Sequence, residues 1–85
     1  MFKEDELPAK DEASARTFRL TRRELQIVSC VVAGMENKEI ASHCKIADNT
    51  VKHHMSNIFD KVGVSTRTEL ALFAVNKHLS LPPID

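Results

Sequence analysis

The most constraining feature of this sequence is a tetrapeptide of one form that occurs twice, at Thr21–Glu24 and at Thr66–Glu69. Each begins with threonine and ends with glutamate three residues later. This is the capping box of a helix start, in which the hydroxyl accepts a hydrogen bond from the fourth backbone N–H and the carboxylate accepts one from the first. Gly34 and Gly63 follow apolar segments, where glycine closes a helix in the left-handed conformation. These signals leave room only for short helices.

Apolar residues between these signals recur at intervals of three and four, the period of an amphipathic helix. The pattern predicts four helices, which run from Thr21 to Gly34 with Leu25, Val28 and Val32 on one face, from an N-cap at Asn37 to Cys44, from Asp48 to Val62, and from Thr66 to His78. The second and third are joined so closely that they must cross steeply to bury their apolar faces. We therefore predict an all-α, four-helix bundle-like domain with a central helix-turn-helix.

The domain is predicted to span residues 19–79. Residues 1–18 are polar and without a period, which predicts a flexible arm, and residues 80–85 form a C-terminal tail that Pro82 and Pro83 keep from being helical. No apolar run approaches the roughly 20 residues of a membrane span, and the N-terminus lacks the apolar core of a signal peptide. We expect a cytoplasmic protein with no membrane partner.

Residue types that bind metals or carry catalysis are present but are not arranged for either role. His43, Cys44, His53 and His54 match no structural zinc spacing. Cys30 and Cys44 are expected to be buried core thiols rather than a redox pair. A domain of 85 residues has a small core with little room for a ligand pocket. We expect no enzyme activity, no metal and no cofactor.

The outward face of the third helix carries short polar groups and one cation. Its residues are Asn49, Thr50, Lys52, His53, Ser56 and Asn57, and they lie off the apolar stripe of Val51, Met55, Ile58 and Val62. The helix has acids only at Asp48 and Asp60, one near each end. The whole chain has a net charge of zero, but residues 20–78 hold eight Lys or Arg against six Asp or Glu. An acid-free central face favours a polyanionic partner such as DNA.

Several separated motifs occur in a fixed order: Leu20–Glu24, Gly34–Ala41, Thr50–His54, Asn57–Ile58, Lys61–Val64 and Arg67. Over roughly residues 18–79 this order resembles the LuxR-type DNA-binding domain, and the whole chain resembles the small free-standing, GerE-like members of that family. The resemblance implies a bacterial transcription regulator that binds inverted-repeat double-stranded DNA as a homodimer. It implies that the third helix reads the major groove and that the fourth supplies most of the dimer contact.

Site residues follow from the same resemblance, position by position. It implies base reading by Lys52, His53 and Ser56, and phosphate contacts by Asn37, Lys38, Asn49, Thr50, Lys61 and Arg67. Arg67 equally fits a structural ion pair. Two residues depart from the family pattern: Ala47 stands where Ser or Thr usually caps the third helix, unless Asp48 takes over, and Cys44 replaces Leu. Both departures bear on stability more than on the reading face.

The spacing of the fourth helix indicates a dimer independently of the resemblance. Leu70, Phe73 and Ala74 cluster on one side of a helical wheel, and Ala71, Leu72, Val75 and Leu79 cluster on the other. If one side packs on the domain, the other is exposed in a monomer, which favours a homodimer seam. The alternative is that the N-terminal arm or the C-terminal tail covers this second apolar side of the fourth helix.

A second class of function stays open at this point. The helix-turn-helix of a protein-interaction module would bind RNA polymerase or another regulator, and the zero net charge mildly favours it. The residues also leave open whether the 85-residue chain is complete or a fragment of a larger regulator.

Overall fold

A computed structural model describes residues 19–79 and 81–84. The predicted arm, residues 1–18, lies outside the described residues. The described part forms four α-helices, which are α1 (Arg22–Val32), α2 (Asn37–Cys44), α3 (Asp48–Val62) and α4 (Arg67–Asn76). This confirms the predicted all-α fold, with α2 and α3 joined by three residues. No described helix is long and apolar enough to cross a lipid bilayer.

Both predicted capping boxes are present. Thr21 Oγ1 accepts from the Glu24 N–H at 3.1 Å, and Glu24 Oε1 accepts from the Thr21 N–H at 2.8 Å. The same pair of bonds joins Thr66 and Glu69, at 3.1 and 3.2 Å. The glycines after α1 and α3 have left-handed backbones, with φ of +86° and +78°. Local hydrogen bonds thus set the starts of α1 and α4 and the turns after α1 and α3.

The core forms around α1, which packs against α3 and α4 while α2 packs against α3. Its largest fully buried side chains come from every helix and from the residue before the N-cap of α1, and include Leu20, Ile27, Ile40, Ile58 and Leu70. Each contributes about 1.5–3 kcal/mol by its removal from water. Val31 is buried because α1 is covered on more than one side. Val32, which was predicted to face the core, is instead 39% exposed.

The end of α4 corrects the prediction for Leu79. The helix ends at Asn76 rather than His78, and His78 takes a left-handed backbone with φ of 51°. The Leu79 N–H then bonds back to the Ala74 carbonyl at 3.1 Å, the closure of a Schellman motif. This turn carries Leu79 into the core, where it is 9% exposed. A helical wheel fails for Leu79 because the residue lies beyond the helix.

The start of α2 differs from prediction by one residue. Glu36, with an extended backbone, occupies the N-cap position, and its N–H donates to Glu39 Oε1 at 2.9 Å. Asn37, predicted as the cap, is the first residue inside the helix. The preceding turn explains the shift, because the Met35 N–H is held by the Cys30 carbonyl at 3.0 Å. Only one residue then remains between that turn and the helix.

The N-terminus of α3 has no side-chain cap. Ala47 holds the N-cap position, and Asp48 lies inside the first turn rather than capping it.

We predict that Ala47→Thr stabilises the protein by about 1 kcal/mol, because the threonine hydroxyl supplies the missing hydrogen-bond acceptor at the start of α3. Thermal unfolding should shift upward by about 4–8 °C. Ala47→Val, which has the shape of threonine without the oxygen, is the control. An equal rise in both variants would exclude capping as the cause.

The two cysteines are free and buried, as predicted, with Cys30 on α1 and Cys44 at the end of α2. Burial and contact with Cys44 raise the pKa of Cys30 from 9.0 to about 11.

Between pH 9 and pH 11 the Cys30 thiol of the native state keeps a proton that the unfolded chain releases, so the free energy of unfolding should fall as pH rises through this range. Urea unfolding at pH 8.5 and 10.5 measures the loss. The loss should be smaller in Cys30→Ala, and an equal loss would assign the pH dependence to other groups.

Part of the C-terminal tail packs on α1. Ser29 Oγ donates to the Pro82 carbonyl at 2.7 Å. Leu81 and Ile84 are partly buried against the core. The described tail residues therefore extend the packed domain beyond the end of α4.

Candidate nucleic-acid interface

The turn between α2 and α3 sets how α3 is presented. Lys45 has a left-handed backbone with φ of 58°, and the Ile46 N–H bonds back to the Ala41 carbonyl at 3.0 Å. Ala41 and Val51, on the facing sides of the two helices, are 5% and 0% exposed. Both belong to the buried core, in which α2 packs against α3. The face of α3 away from this contact is left to solvent.

That outer face holds the predicted base-reading residues. Lys52, His53 and Ser56 are all exposed, whereas Val51, Met55 and Ile58 of the same helix are buried. The residues open to solvent form a polar strip along the helix. Side chains of this kind donate to and accept from base edges when a helix lies in the major groove.

Four predicted site residues meet at one cleft of about 340 Å³, which we call the reading cleft. It is lined by Asn37, Lys52, Met55, Ser56, Phe59 and Arg67. Three helices contribute to it, so residues predicted for base reading and for phosphate contact lie side by side. The cleft has two cations and no acid in its lining.

Arg67 and Asn37 face the reading cleft in different ways. The Arg67 guanidinium donates through Nη2 to the Met35 carbonyl at 2.9 Å, which ties the start of α4 to the turn before α2. Asn37 Oδ1 is buried and accepts no hydrogen bond within the described part of the chain. A buried amide oxygen normally has a donor. Asn37 Oδ1, which can only accept, is thus an unsatisfied acceptor beneath the cleft, and a contact from Asn37 to phosphate would have to use the amide NH₂ group.

The remaining predicted phosphate contacts lie outside this cleft. Lys38 and Asn49 are exposed and Thr50 is half-buried. Lys61 is placed differently: its Nζ lies 2.7 Å from Glu24 Oε1.

Sequence reasoning missed two apolar residues of the reading cleft. Met55 was expected only as core, and Phe59 had no predicted role, yet both line the cleft beside Ser56. The signal was present, because Phe59 follows Met55 by four residues and so shares its face of α3. The contact between Arg67 and the Met35 carbonyl has no comparable signal in the sequence.

The histidines and cysteines are not arranged as metal ligands. In the described ranges, no three His, Cys, Asp or Glu side chains come together as a metal site requires. The rings of His53 and His54 are tilted by 56°, with centroids 6.5 Å apart.

A second surface lies on α4. Leu72 and Val75 are 57% and 59% exposed, and Ala71 is half-buried. A groove of about 370 Å³ lies beside them, lined by Val31, Gly34, Met35, Glu36, Arg67, Thr68 and Ala71. The described tail residues do not cover Leu72 and Val75. Of the four residues predicted for the dimer seam, Ala71, Leu72 and Val75 are accessible to solvent, whereas Leu79 is buried in the core.

A helix-turn-helix whose second helix shows an open polar face is the arrangement that DNA-binding domains of transcription regulators use. Comparison with known proteins gives the family. The family described as bacterial regulatory proteins, luxR family, matches residues 19–74, and the chain belongs to it. The resemblance seen in the motifs is thereby confirmed.

Individual relatives are similar to this chain over the same domain. The uncharacterized transcriptional regulatory protein YhcZ of Bacillus subtilis is 41% identical over 70 residues, which cover 82% of this chain and 33% of YhcZ. LiaR of Bacillus subtilis, a transcriptional regulatory protein, is 45% identical over 71% of this chain and 28% of its own length. The response regulator protein VraR of Staphylococcus aureus is 42% identical over 71% and 29%. The chain thus matches about a third of each of these relatives.

Proposed function

We propose that this protein is a sequence-specific DNA-binding transcription regulator that reads the major groove with α3 and dimerises through α4. The observation that carries the proposal is the reading cleft, where Lys52 and Ser56 of the exposed helix face lie beside Asn37 and Arg67. Base-edge donors and phosphate donors must be close together, because a reading helix sits between two phosphate backbones.

Base reading is assigned to Lys52, His53 and Ser56. All three are exposed on α3, and the helix holds no acid between Asp48 and Asp60. A lysine donates to the acceptors of guanine, whereas a serine hydroxyl pairs with either a donor or an acceptor. The N-terminal residues of such a helix contact base edges, and Lys52 and His53 lie in the first two turns of α3.

Phosphate contacts are assigned to the residues around that strip. They are Asn37 and Lys38 at the start of α2, Asn49 and Thr50 at the start of α3, and Arg67 at the start of α4. Asn37 and Arg67, the first residues of α2 and α4, both line the reading cleft, and the partial positive charge of a helix N-terminus favours phosphate. Arg67 still has donors beyond the one bonded to the Met35 carbonyl, since a guanidinium has five N–H groups.

Dimerisation is assigned to Ala71, Leu72 and Val75 of α4. Two exposed aliphatic side chains beside an open groove form an apolar patch that a second copy would cover. A two-fold axis through this surface would place the two α3 helices on half-sites about 34 Å apart. The DNA partner would accordingly be an inverted repeat.

The test is selection of duplexes from a genomic DNA library by the purified 85-residue chain at moderate salt. Recovery of a two-fold symmetric motif supports the proposal and identifies the targets. Recovery of a single half-site supports base reading but not the dimer. A folded protein that enriches no motif would contradict DNA reading and favour the second function, a module that binds RNA polymerase or another regulator. The helix-turn-helix is the surface that this second function would use.

A further inference from the structure

Lys61 makes two contacts that join separate parts of the chain. It lies near the end of α3, and its Nζ donates to Glu24 Oε1 at 2.7 Å and to the Arg19 carbonyl at 3.1 Å. The Glu24 side chain is 5% exposed and that of Lys61 is 32% exposed. The ion pair therefore lies at the edge of the core, with its carboxylate removed from water.

The same carboxylate oxygen also holds the start of α1. Glu24 Oε1 accepts from the Thr21 N–H at 2.8 Å in the capping box, in addition to the bond from Lys61. Arg19, two residues before Thr21, presents its carbonyl from a left-handed backbone with φ of 59°. The cation of α3 is thus bonded to the N-terminal turn of α1 and to the residues that lead into it.

This geometry does not suit a phosphate contact. The Lys61 charge is balanced at 2.7 Å by a buried carboxylate, so little net field extends from the pair. Loss of the ammonium would leave Glu24 as an uncompensated buried charge. The third N–H of the ammonium is not used by these two bonds. A phosphate at that N–H would meet a cation whose charge is already balanced by Glu24, so the contact would add little to DNA affinity.

We propose that Lys61 is a positioning residue for DNA binding: through Glu24 it fixes the orientation of α3 on α1, and it does not neutralise a phosphate. The inference rests on the proposed function of α3. Lys52 lies nine residues before Lys61 on the same helix, which is about 14 Å along its axis. A tilt of α3 at the Lys61 end therefore displaces the reading residues at the other end.

The test is a double-mutant cycle on DNA affinity with Lys61→Gln, Glu24→Gln and both together, measured by anisotropy on the selected duplex at several salt concentrations. We expect Lys61→Gln to weaken binding about tenfold. The double variant should bind no more weakly than the weaker single variant. The slope of log K against log salt should stay at the wild-type value, because no phosphate contact is lost. Lys61→Arg should retain most of the affinity.

A phosphate contact gives the opposite result. The salt slope would then fall by about 0.9 in Lys61→Gln, and the two single effects would add. Lys77→Gln, which removes an exposed cation at the end of α4, is the control for net charge. Circular dichroism verifies that each variant is folded. If Lys61→Gln unfolds, the apolar pair Glu24→Leu with Lys61→Met replaces it, and an unchanged slope is again expected.

The wild-type chain separates this inference from the proposed function. If wild-type protein binds no duplex, the proposed function fails and the assignment of Lys61 falls with it. If wild-type protein binds and Lys61→Gln changes the salt slope, only the positioning role is overturned.

Discussion

Lys52→Ala is expected to weaken binding to the selected DNA site by roughly 5- to 150-fold, which corresponds to about 1–3 kcal/mol for a side chain that pairs with a base edge. The fold should be unaffected, because Lys52 is exposed on α3 and a surface substitution changes stability by less than about 0.5 kcal/mol. The loss should be largest for one base pair of the site, where Lys52→Ala should also relax the preference. Anisotropy with duplexes that carry single base changes measures both effects.

The matched control is Lys77→Ala. It removes the same charge from an exposed position at the end of α4. Its effect on affinity should be small and equal for all duplexes. Equal losses in the two variants would indicate that only net charge matters and would contradict the assignment of the reading face.

Leu72→Glu and Val75→Glu are each expected to weaken self-association by at least about tenfold, because a carboxylate in an apolar seam loses its hydration without gaining a partner. Both side chains are more than half exposed in the monomer, so the free energy of unfolding should change little. Sedimentation velocity at a concentration where the parent is dimeric should show a monomer. If the parent dimerises only on DNA, the same loss appears as non-cooperative binding to the inverted repeat.

Ser42→Glu is the control for the seam. It adds the same charge to an exposed position on α2 and should leave self-association unchanged. An unchanged sedimentation profile for Leu72→Glu and Val75→Glu, from a dimeric parent, would exclude α4 as the seam. Dimers that persist while DNA binding is lost would instead place the apolar patch of α4 near the nucleic acid.

The helices and the turn that orders them were predictable because their signals act over three or four residues. The capping boxes at Thr21 and Thr66 and the left-handed Gly34 and Gly63 were read from adjacent residue types, and each forms as predicted. The polar face of α3 was predictable for a related reason, since a period of 3.6 residues separates Lys52 and Ser56 from the buried Val51.

Predictions failed where chain geometry beyond a regular helix decides the outcome. A wheel drawn through Leu79 assumed that α4 continues, whereas the Schellman turn at His78 sends that residue inward. Asn37 has the residue type of a cap, but the preceding turn leaves Glu36 in the capping position. In both cases a neighbouring turn determined the result, and the propensity of the single residue did not.

What the sequence determined by itself was therefore local: the number and order of the helices, the short helix-turn-helix connection and the polar face of α3. The tertiary structure alone decided which polar groups are paired over long distances in the sequence. Lys61 meets Glu24 across 37 positions, and Arg67 meets the Met35 carbonyl across 32. Such contacts form when packed helices bring distant residues within about 3 Å, and no short-range pattern encodes that approach. The physical reason is that helix signals are short-range, whereas the partner of a charged side chain depends on how the whole core packs.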